Sequence, residues 1–226
     1  MGSLASILLG LPGFALGIMI HESAHAFAAL KLGDPTARNM GRISLDPRRH
    51  FDLLGAIAYV VTSYAMYLAG RRGGFGWAKP VIINPYNFRD HRRDFMLSSL
   101  AGPAANLVQA VTWALLLRGY IGLSPVVPEV VRSSIALMIF LGIQINVWLA
   151  IFNMIPIPPL DGSRLLAWAL PERYAGYLDH VERTNIGMAV LLGVILLVPG
   201  ILNAVFSVFG SPLMRVLMQI AGLPLP

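Results

Sequence analysis

The segment Leu4–Leu30 contains one formally charged residue, Glu22, and it sits in the pentapeptide His21-Glu22-Ser23-Ala24-His25. So long an apolar run either crosses a membrane or fills a core. Ionisable groups persist in it only where they have partners or a function. Two His at i and i+4 share one helix face, so both rings reach the same point in space. A metal ion at that point would be held by two imidazoles. The Glu beside the first His would take a proton from a water activated by that metal. The pattern predicts a helix in apolar surroundings with a hydrolytic metal site on one face.

Composition separates a membrane from a large soluble core. Of 226 residues, 56% are hydrophobic and 12% charged, and the mean hydropathy is +0.68. A soluble domain carries about 25% charged residues. The chain reads as an all-α polytopic membrane protein, with residues 1–226 forming a single membrane-embedded domain. Its core is expected at 4–170, and a C-terminal helix and tail at 186–226. No polar stretch is long enough for an added soluble domain. The first apolar run lacks a basic leading region and a small-residue cleavage site, so it reads as retained. Cys is absent, which excludes disulfides, thiol catalysis and thiolate ligands. Any zinc must then be held by His and carboxylate.

Five apolar stretches stand out, at about 4–32, 53–70, 94–118, 133–155 and 186–209. A crossing helix needs about 20 apolar residues. Four stretches qualify, and 53–70 is marginal. Loop 33–52 holds Arg38, Arg42, Arg48 and Arg49; loop 71–93 holds Arg71, Arg72, Lys79, Arg89, Arg92 and Arg93. Basic loops favour the cytoplasmic side, so both belong there and the stretch between them enters and leaves on one side. The expected architecture is four full transmembrane helices plus a re-entrant or fifth crossing element at 53–70, with a small β-like loop near 76–84. The tail from Ser211 is expected to be an interfacial helix. The net charge of +6 would suit nucleic acid, but the basic residues lie in loops between apolar runs, so no nucleic-acid partner is expected.

A catalytic zinc site needs a third protein ligand and an open position. The candidates are His50, His91, His180 and the carboxylates. Asp161 follows an apolar helix broken by Pro156, Pro158 and Pro159, a context suited to a cavity at membrane depth. Asp161 as a helix N-cap is the competing reading. Ala101-Gly102-Pro103-Ala104-Ala105 reads as a close-packing patch, and Asn106, Gln144 and Asn146 as interhelical hydrogen-bonding amides. The run Trp77–Asn84, with Pro80 inside it, reads equally as a substrate-pairing edge or a surface loop. A transporter would also carry intramembrane ionisable groups, but it has no need of Glu22 beside the first of two His.

Taken together, the motifs resemble those of the site-2 proteases, the intramembrane zinc metalloproteases, and in particular their compact prokaryotic members. The resemblance covers most of residues 15–165. Besides His21–His25 it includes Leu32-Gly33-Asp34-Pro35-Thr36-Ala37 and Gly41-Arg42-Ile43-Ser44-Leu45-Asp46-Pro47. It continues with Gly76-Trp77-Ala78-Lys79-Pro80-Val81, Leu100 to Asn106, and Asn153 to Gly162. Asp46 stands where many relatives have Asn. The resemblance implies that His21, His25 and Asp161 bind one zinc ion and that Glu22 is the catalytic base. It implies that Asn153 contacts substrate near the scissile bond, with its amide a candidate oxyanion donor, and it favours substrate binding by Trp77, Lys79 and Pro80. Implied partners are transmembrane protein substrates and the lipid bilayer; self-association is left open. The implied location is a prokaryotic cell membrane, with the active site opening toward the cytoplasm.

Overall fold

The computed structural model of the chain describes residues 4–68, 74, 76–123, 128–184, 186–197 and 200–223. Three long helices make its centre: α1, Leu4–Leu32; α3, His91–Leu123; and α4, Glu129–Asn153. Between the first two lies α2, Leu53–Leu68. After α4 come α5, Gly162–Ala169; α6, Glu172–Arg183; and α7, Ile186–Leu197. The last helix, α8, runs Ile201–Ile220 through a π-helical turn at Phe206–Gly210. Among the described residues no strand forms, and α1, α3, α4 and α8 are long and apolar enough to cross a membrane.

Helices α1, α3 and α4 pack against one another. Small residues let the backbones approach, as membrane helices require where apolar burial supplies no drive. A Cβ on Gly13 of α1 would lie 2.7 Å from the Gly142 Cα of α4. One on Gly142 would lie 2.7 Å from the Trp113 ring of α3. Outward-facing side chains such as Leu8, Phe27, Val108, Leu115 and Leu116 are exposed, as suits a surface that meets lipid.

The C-terminal region departs from expectation. The apolar stretch 186–209 is divided between α7, of 12 residues, and the first half of α8. The fourth long apolar helix is therefore Ile201–Ile220. The segment from Ser211 is the second half of α8 rather than a separate helix. Leu217, Met218 and the following Ala221 pack into one core with Ala110, Ala114 and Leu117 of α3 and Ile139, Ile143 and Val147 of α4. Arg215 and Gln219 broke the hydropathy run, but they are one turn apart and leave the opposite face apolar.

Helix α2 has 16 residues, about 24 Å at 1.5 Å per residue, short of the roughly 30 Å hydrocarbon core. Residues 69 and 70 of the expected element lie outside the described residues. Tyr59 stacks on Phe14 of α1 at 4.1 Å between ring centroids. Gly55 faces the Trp77 carbonyl, which a Cβ there would approach to 2.0 Å.

The loop expected to be β-like near 76–84 has no strand partner among the described residues. Its backbone groups are taken instead by the segments around it. Lys79 N–H donates to the His50 carbonyl at 2.9 Å. Val81 N–H donates to Glu22 Oε2 at 2.9 Å, and Asn84 N–H to Asp34 Oδ2 at 2.8 Å. The Arg42 guanidinium donates to the carbonyls of Arg49, Lys79 and Pro80. Asp46, where the resemblance led to an expectation of Asn, accepts from Arg48 N–H and caps the turn Pro47–His50. Either residue type caps a turn in this way.

Candidate metal centre

His21 and His25 lie one turn apart on α1 and are 7% and 6% exposed. Their Nε2 atoms are 2.9 Å apart and the rings are nearly perpendicular, at 87°. The second half of the site arrives from 136 residues away. After α4 the chain runs irregularly from Met154 to Asp161, with a cis peptide between Pro158 and Pro159. It then turns back so tightly that a Cβ on Gly162 would lie 2.2 Å from the Met154 carbonyl oxygen. This return brings Asp161 Oδ2 to 3.2 Å from His21 Nε2 and 3.3 Å from His25 Nε2. The Asp161 side chain makes no capping hydrogen bond to α5, so the cap reading does not describe its contacts. Arg92 of α3 holds the far end of α5, donating to the carbonyls of Ala167, Trp168 and Leu170.

Helix α3 settles which imidazole nitrogens are lone pairs. His25 Nδ1 is 2.8 Å from the Ser98 carbonyl oxygen, which can only accept, so His25 donates there. His21 Nδ1 is 2.6 Å from Asn106 Oδ1. With both protons committed to Nδ1, both Nε2 atoms are acceptors in the neutral imidazoles. Asp161 Oδ2 is buried and has no hydrogen-bond donor. With neutral imidazoles, three acceptor atoms thus converge, an arrangement that is costly unless a metal ion or a proton lies between them. Their ligand atoms all lie within 4.8 Å of one another, the one such His/carboxylate group among the described residues. Two imidazoles and one carboxylate form a donor set that zinc takes, with a position left for water or substrate. The residues therefore fit the metal.

Glu22 is half-buried next to this group, and Val81 N–H holds one of its oxygens. Asn153 ends α4; it is half-buried, and its amide donates back to the Leu149 carbonyl at 2.8 Å. Trp77 lines an apolar cavity of about 250 Å3 together with Leu11, Phe14, Ile18 and Phe51. Lys79 and Pro80 are exposed side chains on a backbone clamped by Arg42. His50 is fully buried outside the metal group, with Nε2 donating to the Ser44 carbonyl at 2.7 Å.

Sequence reasoning missed the role of α3. Ser98, Gly102 and Asn106 recur at intervals of four and therefore share one helix face. That face is laid against both imidazoles. The spacing was visible in the sequence, but Gly102 read as packing and Asn106 as a generic interhelical amide. Arg42 and Asp34 were missed as well. Both are buried and hold the loop that reaches Glu22.

Comparison with known proteins gives consistent matches. The family model described as peptidase family M50 matches residues 118–198, a range that includes Asp161. YwhC of Bacillus subtilis, named a candidate zinc metalloprotease, is 33% identical over 163 residues, covering 72% of this chain and 69% of that protein. Rip2 of Mycolicibacterium smegmatis, named likewise, is 30% identical over 69% of this chain. Rip2 of Mycobacterium tuberculosis is 31% identical over 68%. The matched region spans 54% of each Rip2 protein, about half of its length. No solved structure matches the chain.

Proposed function

The chain belongs to peptidase family M50, the site-2 protease family, and from that premise we propose that it hydrolyses peptide bonds in or next to transmembrane segments of other membrane proteins. It is an integral membrane zinc metallopeptidase. In the proposed site His21, His25 and Asp161 are the zinc ligands and Glu22 is the general base. The observation that carries this reading is the convergence of His21 Nε2, His25 Nε2 and the donorless Asp161 Oδ2.

Zinc, when bound, polarises a carbonyl and acidifies water. The protein's own groups do the rest. Glu22 Oε2 accepts from Val81 N–H, which orients the carboxylate, and as general base Glu22 would take a proton from the attacking water. The same group can return that proton to the leaving amine. Asn153 would donate to the developing oxyanion once its amide leaves the Leu149 carbonyl. A helical substrate hides its amides in its own hydrogen bonds and must unwind before attack. Trp77, Lys79 and Pro80, on the loop whose Val81 N–H meets Glu22, are the proposed contacts for the unwound segment.

Residues 1–226 are taken as one membrane-embedded domain, and the packing of α8 on α3 and α4 favours this. We place it in a prokaryotic cell membrane with the site open to the cytoplasm. The arginines flanking α2 support that side, in line with the positive-inside rule. Regulated proteolysis of membrane-tethered proteins is the biological role in view.

The test is cleavage of a model transmembrane substrate by the detergent-purified chain, with metal content measured in parallel. About one zinc per chain is expected in wild type and in Glu22→Gln, with cleavage lost in the variant. Equal cleavage by the two would refute the assignment of the base.

A further inference from the structure

Asn106 sits on α3 with no solvent exposure, and so does Asn146 on α4. The two amides form a directed chain. Asn146 Nδ2 donates to the Gly142 carbonyl at 2.9 Å, which leaves Asn146 Oδ1 as an acceptor. Asn106 Nδ2 donates to that oxygen at 2.9 Å and to the Gly17 carbonyl at 3.1 Å. Both Asn106 protons are then committed, and its Oδ1 is turned to His21 Nδ1 at 2.6 Å. Gly17 is one turn before His21 on α1, so Asn106 grips the backbone and the ring of the same helix turn. A Cβ on Gly17 would lie 2.8 Å from Leu149 and 3.3 Å from Asn146 Oδ1, so glycine keeps this space open.

We propose that Asn106 is a positioning residue for the metal centre, and that the Asn146–Asn106 relay sets the tautomer and ring angle of His21. The inference rests on the reading of His21 as a zinc ligand. If the Asn106 amide were reversed, its N–H would face His21 Nδ1 and drive the imidazole proton to Nε2. That proton would point at His25 and Asp161, where a lone pair is needed. His25 needs no such relay, because a backbone carbonyl serves it. His21 has only a side-chain amide, and an amide must itself be oriented. Asn146 supplies that orientation from a third helix.

The test uses the full-length protein in detergent and reads zinc affinity, the visible spectrum of the cobalt-substituted protein, and thermal unfolding of the metal-free form. Asn106→Ala is expected to weaken zinc binding by roughly 10–100-fold, the usual effect of losing the partner of a ligating His. It should also shift the cobalt bands. Asn106→Asp restores an acceptor for His21 Nδ1 but cannot donate to Gly17 or Asn146. It is expected to recover most of the zinc affinity while the metal-free form remains less stable than wild type. A pure packing role predicts the opposite order, with affinity following metal-free stability. Wild-type affinity and cobalt spectrum in Asn106→Ala, or no recovery in Asn106→Asp, would overturn the proposal. If Asn106→Ala does not fold, Asn146→Ala reads the same relay one bond further out. A smaller weakening is then expected, and unchanged affinity overturns the proposal. His21→Ala is the separate control. It should abolish high-affinity binding, and retention there would sink the ligand assignment instead.

Discussion

Gly102 of α3 lies so close to His25 of α1 that a Cβ on it would come within 2.4 Å of the imidazole Nε2. The same atom would lie 2.6 Å from His21 Cε1. Neither ring can step aside cheaply, because each is tied through Nδ1 to α3 itself. The absence of a side chain at Gly102 thus makes room for the two rings.

Gly102→Ala should therefore lower zinc occupancy and proteolysis together, by tenfold or more on the scale of a displaced ligand. Gly119→Ala in the same helix is the matched comparison, since nothing lies within 4 Å of its would-be Cβ. It should stabilise by roughly 0.5–1 kcal/mol through helix propensity alone. Metal analysis and thermal unfolding of both variants check this. Full zinc occupancy in Gly102→Ala would show that the rings can yield.

The Val81 N–H to Glu22 bond joins the 76–84 loop to the proposed general base. Val81→Pro removes the donor. A hydrogen bond to a charged group contributes about 1.5–3 kcal/mol, so kcat/KM should fall roughly 10–100-fold while zinc content stays unchanged. Val81→Ala keeps the N–H and should lose much less. Equal losses in steady-state kinetics would assign the effect to the side chain rather than the amide.

Asp34, just beyond α1, has no solvent exposure. Burial alone would raise its pKa. Bonds from the Thr36 hydroxyl, the Asn87 amide, Asn84 N–H and Thr36 N–H outweigh that and hold it below the ordinary 3.8. A depressed carboxyl stabilises the fold above its unfolded pKa, and that stability drains away as pH falls through the folded value. Wild type should lose stability below about pH 4 in part through this group. Asp34→Asn turns an NH2 toward one of these donors and should cost about 1–3 kcal/mol at neutral pH. Its stability should fall less steeply with acid. Thermal unfolding between pH 3 and pH 7 checks both, and parallel curves for the two proteins would exclude Asp34 as a contributor.

Helix α2 poses a topological question that labelling answers in this Cys-free chain. Leu45, Ile82 and Val130 are exposed, at 64%, 55% and 78%. With α2 re-entrant, Leu45→Cys and Ile82→Cys should react with an impermeant thiol reagent from the same side, and Val130→Cys from the other. Opposite-side labelling of the first two would make α2 a full crossing.

The parts of the protein that the sequence determined by itself are those that depend on local pattern. The i, i+4 spacing put His21 and His25 on one face whatever surrounds them. The apolar runs gave α1, α3 and α4 because a lipid-facing helix needs little beyond length and hydrophobicity. The last long apolar helix is Ile201–Ile220 rather than 186–209, inside a run that hydropathy reads as continuous, and composition does not show where α8 packs. No strand forms among the described residues of the β-like loop at 76–84, because strand pairing is non-local and the acceptors here are Glu22, Asp34 and the His50 carbonyl. The tertiary structure alone decided that Asp161 meets two rings 136 and more residues away instead of capping α5. It also decided that Ser98, Gly102 and Asn106 shape those rings. The physical reason is the same in each case: a hydrogen bond or a ligand set is defined by distance in space, and chain order fixes that distance only within a helical turn or two.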